Sequence, residues 1–263
     1  MDLQLKKKIA LITGSTAGIG NAIAASLASE GASVIVNGRT QAAVDAAVTK
    51  IKTETGGEVQ GFAGDLSLAS AAEALLRAHP TVDILVNNLG IFEVRAFMDI
   101  TDADWRRFFD VNVLSGARLA RLYFPQMLAR KWGRIIFISS ESGYQIPQEM
   151  IHYGMTKSAQ IAVARGLAEL AAGSAVTVNT ALPGPTRSRG VGDFVVEMAA
   201  SAGKTAAEVE REFFQTARPS SLLKRFATPE EVAALVTYVA SPVSSATNGA
   251  ALRVDGGVIK SAF

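Results

Sequence analysis

Tyr153 and Lys157 are the two residues of this sequence whose types and spacing favour acid–base chemistry. If they lie in a helix, side chains four residues apart share one face. A tyrosine hydroxyl keeps its proton up to a pKa of about 10, but a nearby lysine ammonium stabilises the phenolate and lowers that pKa toward neutral. The pair therefore predicts a proton donor or acceptor that works at physiological pH. The same spacing also occurs by chance in any helix.

Two further polar residues could join this pair. Ser140 follows a predicted strand over 134–138, and the chain from Ser140 to Tyr153 is long enough to bring the two hydroxyls together. Asn112 lies on the inward stripe of a helix that we predict from Thr101 to about Lys131. A buried asparagine amide is costly unless it is hydrogen-bonded. We expect Asn112 either to satisfy a bulge in that helix or to hold an active-site water.

A glycine-rich turn follows the first predicted strand, 8–13, and precedes a helical pattern that ends at Gly31. A strand, a glycine turn and a helix in this order direct free backbone N–H groups at an anion, usually a phosphate. The spacing Gly-x-x-x-Gly-x-Gly differs from the usual dinucleotide fingerprint, and many turns use glycine for geometry alone. The candidate phosphate-binding residues are Gly14, Ser15, Thr16, Gly18, Ile19 and Gly20.

The second predicted strand, 33–37, ends in Asn37, Gly38 and Arg39. In a dinucleotide-binding fold an acidic residue at this point binds the adenosine ribose and repels a 2′-phosphate. No acid is present here, whereas Arg39 offers a charge-assisted hydrogen bond worth about 1.5 to 3 kcal/mol. The sequence therefore favours NADP(H) over NAD(H). A solvent-facing Arg39 would leave the choice open.

Predicted strands and helices alternate along the whole chain, without a repeat or a linker. This alternation predicts an α/β fold, a Rossmann-type doubly wound parallel sheet of about seven strands with helices on both faces. We expect one catalytic, dinucleotide-binding domain over 1–263. Residues 187–225 lack a clean strand pattern, and we predict one or two helices there that act as a substrate lid. A helical pair packed on the core is an equal alternative.

Composition excludes several classes of protein. Hydrophobic residues make up 49% of the chain and charged residues 19%, which favours a buried sheet over disorder. The net charge of +2 argues against a nucleic-acid partner. The chain has no cysteine and two well-separated histidines, so we expect neither disulfides nor a metal site. The apolar run 9–12 is too short for a signal peptide or a membrane span, and we expect a cytoplasmic protein without a membrane partner.

Taken together, the motifs give a resemblance to the short-chain dehydrogenase/reductase family over essentially the whole chain. The branch that it most resembles includes 3-oxoacyl carrier-protein reductases and many bacterial carbonyl reductases. The matching motifs come in the family's order: Thr13-Gly14-x-x-x-Gly18-x-Gly20, Asp65-Leu66, Asn87-Asn88-x-Gly90, Asn112, Ser140, Tyr153-x-x-x-Lys157, Pro183-Gly184 and Asp255-Gly256-Gly257.

The resemblance implies a catalytic set and a cofactor cleft. Tyr153 would be the general acid in reduction and the base in oxidation, and Ser140 would polarise the substrate carbonyl. Lys157 would lower the tyrosine pKa and hold the nicotinamide ribose, and Asn112 would keep a water in a proton relay. Besides the glycine turn, Arg39, Tyr153 and Lys157, the implied cofactor contacts are Asp65 and Leu66 at the adenine, Asn88 and Gly90 in the cleft, and Pro183, Gly184 and Thr186 at the nicotinamide.

We therefore expect NADP(H)-dependent hydride transfer between nicotinamide and a carbonyl or secondary alcohol. Residues predicted near the site suggest a largely apolar substrate, namely Tyr144, Ile146, Met150 and Ile151. Arg187 and Arg189 could instead bind an anionic group or face water. The alternatives are an NAD-dependent alcohol dehydrogenase and a non-catalytic nucleotide-binding regulator, which we would expect to have lost part of the catalytic set. The resemblance also implies a homo-oligomer, a dimer or a tetramer.

Overall fold

Seven parallel strands form one sheet in a computed structural model that describes residues 1–188, 192, 199, 201 and 203–262. The strand order is β3-β2-β1-β4-β5-β6-β7, which is the doubly wound topology that the sequence predicts. The strands are β1 (Ile9–Ile12), β2 (Ser33–Gly38), β3 (Val59–Ala63), β4 (Ile84–Asn87), β5 (Gly133–Ile138), β6 (Val176–Pro183) and β7 (Ala251–Val254).

Helices cover both faces of this sheet, as predicted. Successive residues of a strand point to opposite faces. In β1, Ala10 and Ile12 pack against α1, α2 and α8, whereas Leu11 packs against α3, α5 and α6. The helices of the described residues are α1 (Gly18–Ser29), α2 (Gln41–Thr55), α3 (Ala69–Ala78), α4 (Asp102–Phe109), α5 (Ser115–Ala129), α6 (Ile151–Leu170), α7 (Ala206–Thr216) and α8 (Pro229–Ala240).

The chain reverses its winding at β1, which pairs with β2 on one side and β4 on the other. Connections from the two strands leave in opposite directions at this point, so a crevice opens beyond their carboxyl ends. Thr13 follows β1, Asn88 follows β4, and Ser140 follows β5, the next strand in the sheet. The fold therefore brings three predicted site residues to one edge of the sheet.

The long helix predicted from Thr101 to Lys131 is interrupted. Thr101 caps α4 in a capping box with Asp104, but a π-helical turn over Asp110–Leu114 separates α4 from α5. A π turn bonds i to i+5 and so changes the backbone pairing within it. A 3.6-residue periodicity does not reveal such a turn, and it is centred on Asn112.

Part of the predicted lid is described. Thr205 caps α7, and Val209 and Phe214 of α7 pack with Phe226 in a small apolar cluster. Arg189, Gly190, Phe194, Val195 and Met198 lie outside the described residues. A substrate lid over 187–225 remains a prediction.

The described residues contain neither a helix that could span a membrane nor a cluster of side chains that could hold a metal ion. No helix there has both the length and the apolar character needed to cross a bilayer. Likewise, no cluster of three or more histidine or acidic side chains in the described ranges has metal-binding geometry.

Arg134 at the start of β5 gives a prediction about stability. Its buried guanidinium donates to the carbonyls of Gly133 and Ala175, each at 2.9 Å, and of Ser241 at 3.2 Å. Burial lowers the pKa of Arg134 to about 10, so it remains charged at pH 7. Arg134→Met leaves these carbonyls without their donor, and we expect a loss of about 3 kcal/mol in unfolding free energy.

Urea denaturation measures this loss, with Arg121→Met as the control because Arg121 is exposed on α5. We expect the control to change the unfolding free energy by less than about 0.5 kcal/mol. Equal midpoints for Arg134→Met and the wild type would show that these buried hydrogen bonds do not stabilise the sheet.

Candidate functional site

Side-chain hydrogen bonds join the ends of β1 and β4. The Thr13 hydroxyl oxygen accepts from the N–H groups of Asn88 and Leu89, both at 2.9 Å. Asn88 Nδ2 donates to the carbonyls of Thr13 and Gly14, both at 3.0 Å. A Cβ at Gly20 would lie 2.5 Å from that same nitrogen. The glycine turn is therefore fixed before any ligand binds.

The turn also leaves donors for an anion. Gly14 and Gly18 have φ angles of +59° and +58°, and Ala17 gives α1 no side-chain cap. The first N–H groups of a helix have no partner within it, so this end fits a phosphate. The Ser15 hydroxyl, however, is buried and donates to Ile12 O at 2.7 Å. The side chain of Ser15 thus serves the turn itself.

Asn37 and Arg39 have different surroundings at the end of β2. The buried Asn37 amide accepts from Gly14 N–H at 3.1 Å and donates to the carbonyls of Phe62 in β3 and Gly64 after it. Gly38 lies directly against Thr16, since a Cβ there would be 2.4 Å from the Thr16 methyl group. Arg39 is exposed, and in the part of the chain that the structure describes it has no hydrogen bond or ion pair. Its guanidinium is available to a ligand beside the turn.

Asp65 and Leu66 follow β3. Asp65 Oδ1 accepts from the backbone N–H of Ser67 at 3.0 Å and from its hydroxyl at 2.7 Å. Leu66 is buried in the apolar core beneath α3. Asp65 therefore stabilises the turn before α3 and does not cap that helix, whose N-cap residue is Leu68. Contact of Asp65 or Leu66 with an adenine remains a prediction.

The predicted acid–base residues meet where α6 begins, beyond the end of β5. Ser140 and Tyr153 line the same cavity, and the Ser140 side chain is close enough to lower the pKa of Tyr153. The Lys157 ammonium lies 5.5 Å from the centroid of the Tyr153 ring. Gly90 is close by, because a Cβ there would be 3.5 Å from both Lys157 Nζ and Asn112 Oδ1. The structure thus brings together all four predicted catalytic side chains.

The prediction that Lys157 lowers the pKa of Tyr153 is wrong, because the surroundings of Tyr153 raise that pKa. Burial and the charge of Glu141 raise the pKa of Tyr153 well above its usual value, although the Ser140 side chain lowers it. The Lys157 ammonium donates instead to Ile138 O at 3.0 Å and Gln160 Oε1 at 3.2 Å. Burial lowers the pKa of Lys157 to about 8. The sequence revealed neither the depth of the site nor these competing acceptors.

Asn112 lies at the centre of the π turn, but its side chain bonds to residues outside that turn, and its predicted role with an active-site water stays a prediction. Its amide accepts from Ile91 N–H at 2.8 Å and donates to the Thr156 hydroxyl at 2.9 Å. The Asn112 main-chain carbonyl accepts from Gln160 Nε2 at 2.6 Å. Gln160 therefore bridges this carbonyl and the Lys157 ammonium, since it donates to the first and accepts from the second. Sequence reasoning missed Gln160, because one glutamine in a helix gives no distinguishing signal.

A cavity of about 900 Å³ opens onto Tyr153 and Ser140. Met150 lines it as expected, whereas Tyr144, Ile146 and Ile151 do not. Its apolar wall suits carbon chains or rings, and its polar residues concentrate around the two hydroxyls. Four predicted cofactor residues also line it, namely Ile19, Pro183, Gly184 and Thr186.

Three charged residues of the cavity wall were not foreseen. Arg218 donates from Nε to Glu141 at 3.1 Å and from Nη1 to Glu149 at 3.2 Å. The side chains of Arg218 and Glu141 are only 12% and 5% exposed. Arg187 does not line the cavity; it pairs with Glu210 at 2.5 Å and lies over the Phe226 ring. The sequence did not predict the Glu141–Arg218 pair, because the two residues lie far apart along the chain.

Comparison with known proteins identifies relatives over the full length. A family model described as short chain dehydrogenase matches residues 8–199. The chain is 48% identical over 264 residues to the uncharacterized oxidoreductase YvaG of Bacillus subtilis (strain 168), covering 100% of both sequences.

Two similar solved structures contain a nicotinamide cofactor. L-sorbose reductase from Gluconobacter frateurii, complexed with NADPH and L-sorbose, is 29% identical with a TM-score of 0.93, over 99% of this chain and 100% of that one. A 3-oxoacyl (acyl-carrier-protein) reductase from Agrobacterium tumefaciens C58 with NADP bound is 32% identical with a TM-score of 0.88. The match covers 97% of this chain and 95% of that one.

Proposed function

The chain belongs to the short-chain dehydrogenase family, and on this basis we propose that it is an NADP(H)-dependent oxidoreductase acting on a carbonyl or secondary alcohol, with Tyr153 as general acid and base. The observation that carries the proposal is that Ser140 and Tyr153 line one cavity, with the Lys157 ammonium 5.5 Å from the Tyr153 ring centroid on the same helix. Membership of the family makes the protein an oxidoreductase that uses a nicotinamide cofactor.

The residues of the cleft fit such a cofactor. The glycine turn and the first N–H groups of α1 would hold its phosphates, and Lys157 would hold the nicotinamide ribose. When bound, the cofactor supplies or accepts the hydride. In reduction, Tyr153 would give its proton to the substrate oxygen and Ser140 would orient that oxygen; in oxidation Tyr153 would take the proton.

Arg39 and the NADP-containing relatives support NADP(H) as the cofactor. We expect Arg39→Ala to raise the NADPH dissociation constant about ten- to a hundredfold, because a charge-assisted bond to the 2′-phosphate is lost. The dissociation constant of NADH, which lacks that phosphate, should stay within about twofold. Fluorescence titration of both nucleotides with both proteins measures the four constants.

Arg77→Ala in α3 is the control for loss of a basic side chain. Equal loss of NADPH and NADH affinity in Arg39→Ala would contradict a role at the 2′-phosphate. Unchanged affinity for both nucleotides would instead favour the second candidate, an NAD-dependent alcohol dehydrogenase, in which Arg39 only faces water.

For the substrate we propose a neutral, largely apolar carbonyl compound, because the wall of the cavity is apolar. The relatives' names extend the test to ketoses and 3-oxoacyl thioesters. A screen of NADPH consumption over ketones, aldehydes, quinones, ketoses and 3-oxoacyl thioesters tests this proposal. No turnover across these classes would favour a non-catalytic regulator, although the intact set of Asn112, Ser140, Tyr153 and Lys157 argues against one.

We also propose association into dimers or tetramers. Light scattering of the purified protein tests this, and a monomer at all concentrations would contradict it.

A further inference from the structure

Glu141 is a buried carboxylate beside the proposed acid–base pair, and the proton transfer proposed for Tyr153 does not use it. It follows Ser140 directly at the end of β5 and is 4% exposed. A carboxylate out of water needs hydrogen-bond donors or a counter-charge. Glu141 has both in the substrate cavity, and each of its two oxygens has a different partner.

One oxygen of Glu141 accepts the hydroxyl proton of Ser140. The distance from Ser140 Oγ to Glu141 Oε2 is 2.5 Å, which is typical of a hydroxyl donating to an ionised carboxylate. A serine hydroxyl has one proton and two acceptor positions. Ser140 Oγ also accepts from Ser142 N–H at 3.1 Å, so Glu141 and Ser142 together fix the Ser140 hydroxyl beside Tyr153.

The other oxygen of Glu141 accepts from Arg218 Nε at 3.1 Å. Arg218 also donates to Glu149, so one guanidinium lies between two carboxylates. The side chains of Arg218, Glu141 and Glu149 together therefore carry a net negative charge. Among the described residues, the charged groups that face Tyr153 or line its cavity are Lys157 on α6, Glu141 after β5, Glu149 before α6, Glu93 after β4, Lys204 before α7, Glu212 on α7 and Arg218 after α7.

We propose that Glu141 is a positioning residue that holds the Ser140 hydroxyl and sets the pH at which Tyr153 changes from proton donor to proton acceptor. The proposal rests on the proposed function, because it assigns Glu141 an effect on the acid–base step of that reaction. A negative charge near a phenol opposes the phenolate. Consistent with this, Glu141 raises the pKa of Tyr153 and Arg218 lowers it.

Glu141→Gln tests the proposal, because glutamine has nearly the same shape and keeps an oxygen to accept from Arg218 while removing the charge. The first measurement is kcat/KM against pH in both directions, with NADPH and a ketone from the screen, and with NADP⁺ and the matching alcohol. We expect the Tyr153 limb to move to lower pH by about half a unit or more, by the same amount in both directions. At a fixed pH on the limb this is about a threefold change.

Two variants separate a charge effect from a structural one. Glu141→Asp keeps the charge and should return the limb most of the way toward wild type. Glu149→Gln removes the other carboxylate bound to Arg218 and should leave the limb in place, since Glu149 does not contact Ser140. An unmoved limb in Glu141→Gln, or an equal movement in Glu149→Gln, would overturn the proposal.

A second measurement does not depend on turnover. The chain has four tyrosines, so ionisation of Tyr153 can be followed by phenolate absorbance as the difference from Tyr153→Phe. We expect the Tyr153 phenolate to form at lower pH in Glu141→Gln than with Glu141 present. If the screen finds no turnover, the proposed function fails, and this titration still decides whether Glu141 controls Tyr153. Coincident titrations would reject that control.

Discussion

Tyr153→Phe should lower kcat/KM for carbonyl reduction by about 10²- to 10⁴-fold, the usual contribution of a positioned general acid. The change removes one hydroxyl, on a residue that lines the cavity together with Ser140. The ring still packs as before, so we expect the NADPH dissociation constant to stay within about threefold. Steady-state kinetics with NADPH and a ketone from the screen measure the first quantity, and fluorescence titration measures the second.

Tyr238→Phe is the matched control, since Tyr238 is 40% exposed on α8, away from the cavity. Its kcat/KM should equal that of the wild type. Full activity in Tyr153→Phe would mean that another group donates the proton, and the catalytic role proposed for the start of α6 would have to be abandoned.

Lys157→Met should lower kcat/KM by about a hundredfold or more and weaken NADPH binding as well, because its ammonium would hold the cofactor ribose and so orient the nicotinamide beside Tyr153. Methionine replaces the buried aliphatic part of the lysine side chain. It cannot make the two hydrogen bonds that the ammonium donates to Ile138 O and Gln160 Oε1. Steady-state kinetics measure the loss in kcat/KM, and fluorescence titration measures the weaker binding of NADPH. Lys50→Met on the exposed face of α2 is the control, and it should change neither.

The stability of this variant against pH provides an independent measurement. Burial lowers the pKa of Lys157 from 10.5 to about 8, so between these values the unfolded chain binds more protons than the folded one. Unfolding free energy of the wild type relative to Lys157→Met should therefore rise from pH 8 to 10.5. A flat difference over this range would show that Lys157 titrates normally in the folded protein.

The sequence predicted the sheet well, because its strands are buried on both faces. Runs such as Ile9–Ile12 and Gly133–Ile138 are continuously apolar or nearly so, and glycines or polar residues end them sharply. The predicted start of α4 at Thr101 is also confirmed, because Thr101 forms a capping box there with Asp104. Apolar runs and capping residues each involve only a few consecutive residues, so a single sequence is enough to reveal them.

What the sequence could not predict depends on contacts between distant segments. The Glu141–Arg218 pair joins β5 to the segment after α7, and the Gln160–Asn112 bond joins two helices. No spacing rule connects such residues. The pKa of Tyr153 was predicted in the wrong direction for the same reason, since the Lys157 spacing was visible but the burial and the Glu141 charge were not.

The most direct test of the proposed reaction is the transfer of deuterium from NADPH deuterated at nicotinamide C4 to a ketone, followed by mass spectrometry of the alcohol. With wild-type protein in ordinary water, we expect one deuterium on the new carbinol carbon, and with Tyr153→Phe we expect almost no alcohol. Alcohol that carries no deuterium from either face of the nicotinamide, or equal yields from the two proteins, would contradict hydride transfer assisted by Tyr153.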